Sequence, residues 1–135
     1  MRPFSPLLLA LALTGCGIAP LDAARLSLGA TVAAFDAAEP RLEAQREAAG
    51  RVCLEAATPP SAIPACLSDV RARWAPVRLA SERTYRAIVA ALALLHLSEA
   101  GAALGQGVDV AKLARAVSMA IDAAGALQAA IEGVP

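Results

Sequence analysis

The chain has 135 residues, with 12 basic and 12 acidic side chains and a formal net charge of zero at pH 7. This length fits a single domain, and there is neither the basic surplus that would favour nucleic acid nor an acidic tail that would favour a charge-driven partner. Apolar residues make up 58% of the chain, but many of them are alanine and only 3% of the chain is aromatic, which favours helix over strand.

The first 15 residues have the pattern of an export leader. Arg2 and the amino terminus supply positive charge, and residues 6–13 form an apolar core that is far shorter than the roughly 20 residues of a spanning helix. The core is followed by Cys16, which an ordinary leader does not need. The stretch Leu13-Thr14-Gly15-Cys16 resembles the lipobox of bacterial lipoproteins, and this resemblance covers residues 1–16.

The resemblance implies that residues 1–15 are removed and that Cys16 becomes the first residue of the mature chain. Its thiol would carry a diacylglycerol and its amino group a further acyl chain such as palmitate, and several acyl chains anchor a protein stably, at ~0.8 kcal/mol per buried CH₂. Gly17 replaces the aspartate that retains such proteins at the inner membrane, so the resemblance implies an outer-membrane protein that faces the periplasm. The alternative is an ordinary leader in which Cys16 is incidental.

Residues 16–21 are expected to be a lipidated tether and residues 22–133 the folded domain, with Asp22 as the N-cap of the first helix. The helical period of that helix is carried by apolar residues spaced mostly by three, four or seven, namely Leu21, Leu28, Val32, Phe35, Leu42, Ala49, Val52 and Ala56. Pro40 interrupts this pattern. Because proline inside a helix costs ~3 kcal/mol, we expect a kink there or two helices that meet at residues 38–39.

Residues 57–63 contain Pro59 and Pro60 and are predicted to be a loop, with Pro64 in the first turn of the next helix. Cys53 precedes this loop and Cys66 follows it. Paired cysteines of an exported chain usually form a disulfide, whereas a reactive or metal-binding pair lacks neighbouring histidines or cysteines here. We therefore expect a bridge that staples two helices and contributes ~3 kcal/mol in the chain-entropy model.

The second predicted helix has apolar residues at heptad-like steps from Leu67 to Ala102, is bent at Pro76 and ends at Gly101, Gly105 and Gly107. The third begins after Asp109 as its N-cap and stops at Gly133. Three amphipathic helices with short connections predict an all-α fold, an antiparallel three-helix bundle with a disulfide-stapled hairpin. Its core is expected to contain the three aromatic residues of the mature chain, which are Phe35, Trp74 and Tyr85.

Motifs of catalysis and cofactor binding are absent from the sequence, including G-x-S-x-G, C-x-x-C-H, H-E-x-x-H and a glycine-rich phosphate loop. His96 and Glu99 share a helix face and could support proton transfer, but one imidazole and one carboxylate do not complete a metal site. We therefore expect neither an enzyme nor a cofactor nor a metal centre. An enzyme centred on His96 and Glu99 is the least favoured hypothesis.

Trp74 with Arg71, Arg73 and Arg78 is the one local cluster suited to contact a ligand, because guanidinium groups stack on indoles and pair with anions. We expect Arg71, Trp74 and Arg78 to make the contact. The alternative is a core tryptophan beside a solvated basic face. Residues 87–95 are apolar on all sides, which fits bundle core or a surface for a partner helix. We expect a non-enzymatic envelope lipoprotein that contacts an unidentified envelope protein or a second copy of itself. The alternative is a module that binds an apolar or anionic small ligand.

Overall fold

The structure is a computed structural model that describes residues 19–56 and 58–134. The predicted leader, the lipobox and Cys16 lie outside the described residues. Within them, three long helices and no strand are present, which confirms the all-α prediction. Helix α1 spans Pro20–Ala56, a short 3₁₀ turn spans Pro60–Ala62, α2 spans Ile63–Ala103 and α3 spans Val110–Glu132. The three helices pack against one another as a bundle.

Helix α1 begins at Pro20, three residues earlier than a cap at Asp22 predicts. Pro20 suits the first helical position because its missing N–H would have no helical partner there. The carbonyl of Ala19 accepts hydrogen bonds from the N–H groups of Asp22 and Ala23 at 2.9 and 3.1 Å. The prediction that Asp22 caps the helix is therefore wrong. Asp22 lies in the first turn, where its negative carboxylate interacts favourably with the positive end of the helix dipole.

Both internal prolines lie within continuous helices. Helix α1 runs through Pro40 and α2 runs through Pro76, so the predicted division of the first helix at residues 38–39 is wrong. The prolines are exposed, and so are Asp36 and Ala72, whose carbonyls lose their helical hydrogen bonds. Water can hydrate those carbonyls, which lets each helix continue past its proline.

The ends of α2 and α3 follow the predicted turn chemistry. Gly105 has a φ of 74°, a left-handed conformation that glycine adopts without strain, and it follows the last residues of α2. The carboxylate of Asp109 accepts a hydrogen bond from the N–H of Lys112 at 2.9 Å, which confirms Asp109 as the N-cap of α3. Gly133 follows the end of α3, as expected.

The main core lies where all three helices meet. Its buried members are Ala24, Leu28, Phe35, Val77, Ile88, Ala91, Leu95, Leu113, Val117, Ala120 and Leu127. Thr84 is fully buried, and its Oγ1 lies 2.9 Å from the carbonyl oxygens of both Ala80 and Ala123, so it links α2 to α3. On the surface, Arg25 of α1 donates a hydrogen bond to Glu99 of α2 at 2.6 Å.

The aromatic residues do not all enter the core. Phe35 is buried, and Trp74 is half-buried against the core. Tyr85 is 59% exposed, so its prediction as a core residue is wrong, although its ring centroid lies 6.5 Å from that of Phe35. The inward position belongs to Thr84, which is seven residues after buried Val77 and seven before buried Ala91.

The hairpin of α1 and α2 extends beyond α3. The helices have 37, 41 and 23 residues, respectively. Because Thr84 faces Ala123 and α2 and α3 are antiparallel, Glu132 is level with about residue 75 of α2. The remaining part of the hairpin is a two-helix extension closed by the predicted disulfide, in which the Cα atoms of Cys53 and Cys66 are 5.7 Å apart.

Candidate functional site

A groove lies between α1 and α2 where the two-helix extension begins. Its volume is about 460 Å³, and all of its lining residues belong to these two helices. They are Glu39, Leu42, Glu43 and Arg46 on α1 and Arg71, Trp74, Ala75, Val77, Arg78, Ser81 and Glu82 on α2. We call it the Trp74 groove, because it surrounds the only tryptophan of the chain.

Helical spacing explains how the sequence builds the groove. On α2, Arg71, Ala75, Arg78 and Glu82 are three or four residues apart, so they form one row along the helix surface. Trp74 lies beside that row, half-buried against the main core, so packing restricts its side chain while part of it stays accessible in the groove. The antiparallel turn then brings a charged row of α1 to the other side.

The structure places Arg71, Trp74 and Arg78 of the predicted cluster in this groove, whereas Arg73 is not one of its lining residues. Arg71 and Arg78 are exposed one turn before and one turn after Trp74. The alternative, a tryptophan that packs on the core beside a solvated basic face, also fits, since Trp74 is half-buried against the core and both arginines are exposed. A ligand contact by these residues stays a prediction.

The α1 side of the groove was missed from the sequence. In the sequence, the charges of Glu39, Glu43 and Arg46 indicate only a solvated helix face. The Cys53–Cys66 bridge could have identified these α1 residues from the sequence. Counting back from the bridge along two antiparallel helices places Trp74 opposite about residue 45. The helix register set by the disulfide thus predicts which α1 residues lie opposite the tryptophan.

The groove carries balanced charge. Three arginines face three glutamates across and along it, and within the described part of the chain no ion pair joins any of them. The apolar floor is formed by Leu42, Val77 and the indole of Trp74, all at least partly buried. The site therefore offers an accessible part of the indole of Trp74, held in place by packing and surrounded by charged groups of both signs.

His96 and Glu99 are close together, and Glu99 also contacts Arg25 of α1. His96 Nδ1 lies 3.5 Å from Glu99 Oε2, and the imidazole side chain is 74% exposed. The hydrogen bond from Arg25 lowers the pKa of the Glu99 carboxyl, so this carboxylate is committed to the contact between α1 and α2. Among residues 19–56 and 58–134, no group of three histidine, cysteine or acidic side chains could hold a metal ion.

The apolar stretch at residues 87–95 has one face buried in the bundle and one face exposed. Ile88, Ala91 and Leu95 are buried in the bundle, while Val89 and Ala93 are exposed. The exposed row continues to the end of the helix, and we call it the apolar patch. It consists of Val89, Ala93, Leu97, Ala100 and Leu104.

Over residues Pro60–Ala103, the helical segment is long and apolar enough to cross a membrane by length and composition alone. Its qualifying 18-residue window has a mean hydropathy of 1.3, and 17% of that window is buried in the bundle. A core helix of a bundle can pass the same test, so this property alone does not assign a membrane span.

No protein-family model, curated protein or solved structure matches this chain.

Proposed function

We propose that this protein is a non-enzymatic lipoprotein of the cell envelope that presents the Trp74 groove to a protein partner. In this proposal Cys16 carries the lipid and the protein faces the periplasm from the outer membrane. The observation that carries the proposal is the groove itself, which opens at the level where α3 ends and combines an aromatic floor with a charged rim.

The composition of the groove suits a protein partner. Tryptophan and arginine are enriched among the residues that dominate binding energy, and protein interfaces typically surround an apolar centre with a polar rim. A single small anion would be attracted by the three arginines but repelled by the three glutamates. A protein segment can place opposite charges against both sets, which favours the protein partner.

The proposed anchor and the groove lie at opposite parts of the bundle. Helix α1 begins at Pro20, four residues after Cys16, and reaches Glu43 in the groove after 23 further residues. At 1.5 Å per residue, the groove is roughly 35 Å along the helix from the anchored end. The groove is thus well separated along the bundle from the anchored end.

Site-specific photocrosslinking in cells tests this proposal. A photoreactive residue at Ala75, a small exposed position in the groove, is expected to give a discrete crosslinked product. The same residue at Ala126, an exposed alanine of α3, is the matched control and is expected to give none. Trp74→Ala should abolish the product from position 75. Equal products from both positions, or a product that survives Trp74→Ala, would contradict a role for the groove.

A second candidate function is the binding of an anionic amphiphile. Arg46, Arg71 and Arg78 beside an apolar floor favour this alternative. Trp74 is the only tryptophan, so its fluorescence reports on the groove directly. If the alternative holds, dodecanoate should shift the emission saturably while dodecyltrimethylammonium does not, and Arg71→Gln with Arg78→Gln should remove the response. No shift, or the same shift with both amphiphiles, would exclude it.

A further inference from the structure

We infer that the apolar patch of α2 rests on the surface of the lipid bilayer to which Cys16 tethers the protein. This inference rests on the proposed lipid anchor and adds a second, non-covalent contact with the same membrane. It assigns a role to exposed residues that neither the bundle core nor the Trp74 groove uses.

The patch is apolar, exposed and without charge along its length. Leu97 is 71% exposed and Leu104 is 76% exposed, and the smaller side chains of the patch lie in the same row. From Val89 to Leu104 the row covers about 22 Å at 1.5 Å per residue. Exposed leucines in a row are costly in water, and their burial in a lipid interface removes that cost.

The patch lies at the end of the bundle that the anchor holds. The hydrogen bond between Arg25 and Glu99 fixes the register of α1 and α2, so Pro20 and Leu104 are each about five residues from this contact and lie at the same end. Cys16 precedes Pro20 by four residues, which span at most about 14 Å. That reach exceeds the ~10 Å diameter of a helix, so a lipid on Cys16 can enter the bilayer that α2 touches.

Arginine side chains precede the patch along α2, at the end of the patch that is nearer to the groove. Arg83 and Arg86 are exposed, and Arg86 is in the same helical row as Ala93 and Leu97. Arginines next to inserted apolar side chains are typical of helices that lie on anionic lipid surfaces. Glu99, the one carboxylate within the patch segment, bonds Arg25 of α1 instead. This positive border favours an anionic phospholipid surface as the occupant of the patch.

The test uses the mature lipidated protein in vesicles of phosphatidylethanolamine and phosphatidylglycerol. A nitroxide-quenchable fluorophore is attached at Leu97→Cys, and at Ser118→Cys on the exposed face of α3 as the control. With nitroxide-labelled lipid in the vesicles, we expect several-fold stronger quenching at position 97 than at position 118. Circular dichroism of both variants checks that the exposed substitutions leave the helices intact.

Intact mass separates this inference from the proposed function. A lipidated mass with equal quenching at both positions would overturn the patch contact while leaving the anchor in place. An unlipidated mass would overturn the anchor, and the patch contact with it. Crosslinking of Leu97→Cys between two copies in the vesicles, without quenching, would show that a second copy covers the patch and would also overturn the inference.

Discussion

Arg25 joins two parts of the bundle through a pair of carboxylates. It contacts Asp22 one turn earlier on α1 at 3.1 Å and Glu99 on α2 at 2.6 Å. The first contact is local and exposed, so solvent screening leaves it little weight in the stability of the fold. The contact with Glu99 spans 74 residues of sequence and fixes the register of α1 against α2, which no local pattern could reveal.

The contact between Arg25 and Glu99 predicts a specific pH dependence. Because Arg25 holds the pKa of the Glu99 carboxyl below its ordinary value, the contact stabilises the fold above the unfolded carboxyl pKa of about 4.3. Its contribution disappears as the pH falls through the lower pKa of the folded protein. In urea unfolding, Glu99→Gln should therefore be less stable than the parent at pH 7, and the difference should shrink at pH 3.

Glu47→Gln is the control for that experiment, since Glu47 is exposed and is outside the contact with Arg25. The same change in stability for both variants, or a Glu99→Gln deficit that grows on acidification, would refute the assigned role of Glu99.

Thr84 provides a second prediction from a single buried side chain. Its hydroxyl lies within hydrogen-bond distance of a carbonyl of α3, whereas Thr31 bonds only Ser27 within α1. Thr84→Val keeps the shape but removes this link, so we expect a loss of about 1 kcal/mol in the free energy of unfolding. Thr31→Val should cost less. Chemical denaturation of both variants makes the comparison, and equal losses would argue against the interhelical role of Thr84.

At the scale of the helices, the period of apolar residues predicted the number and order of elements, and turn chemistry predicted the caps. Asp109 and Gly133 act as expected because capping depends on local backbone geometry. The period did not decide which residues of α2 face inward. Hydrophobicity alone favoured Tyr85 as a core residue, but the row of Val77, Thr84 and Ala91 faces the core. The short side chain of Thr84 fits there because a neighbouring helix packs closely.

The two-helix extension depends on its disulfide. Cys53 and Val70 are buried there, outside the main core, and little other apolar surface is covered. Replacing both cysteines with alanine should lower stability by ~3 kcal/mol in the chain-entropy model. Hydrogen exchange should accelerate most in residues 47–56 and 63–73, and least in residues 84–100 within the three-helix part.

Opening the same bridge of the parent protein with a reductant is the control for the alanine variant, and it should give the same exchange pattern. Uniform acceleration over the whole chain would instead mean that the extension and the three-helix part unfold as one cooperative unit.

For the molecule as a whole, sequence reasoning predicted the fold class, the disulfide and the arginine–tryptophan cluster. It could not predict that α3 ends beside Trp74 and leaves a groove there, since this depends on the relative register of three helices. The cross-helix contacts of Arg25 and Thr84 set that register. Likewise, an apolar segment such as residues 87–95 shows its exposed side only when its neighbours are placed.

The central claim is that a lipid on Cys16 holds this bundle at a membrane, and intact-mass analysis of the protein from bacterial membranes tests it most directly. We predict a chain that starts at Cys16 and carries the added mass of a diacylglycerol, with or without a further acyl chain. Cys16→Ala should give an unlipidated protein that leaves the membrane fraction or stays unprocessed. A full-length, unmodified chain from the parent gene, with unchanged fractionation in Cys16→Ala, would contradict the account.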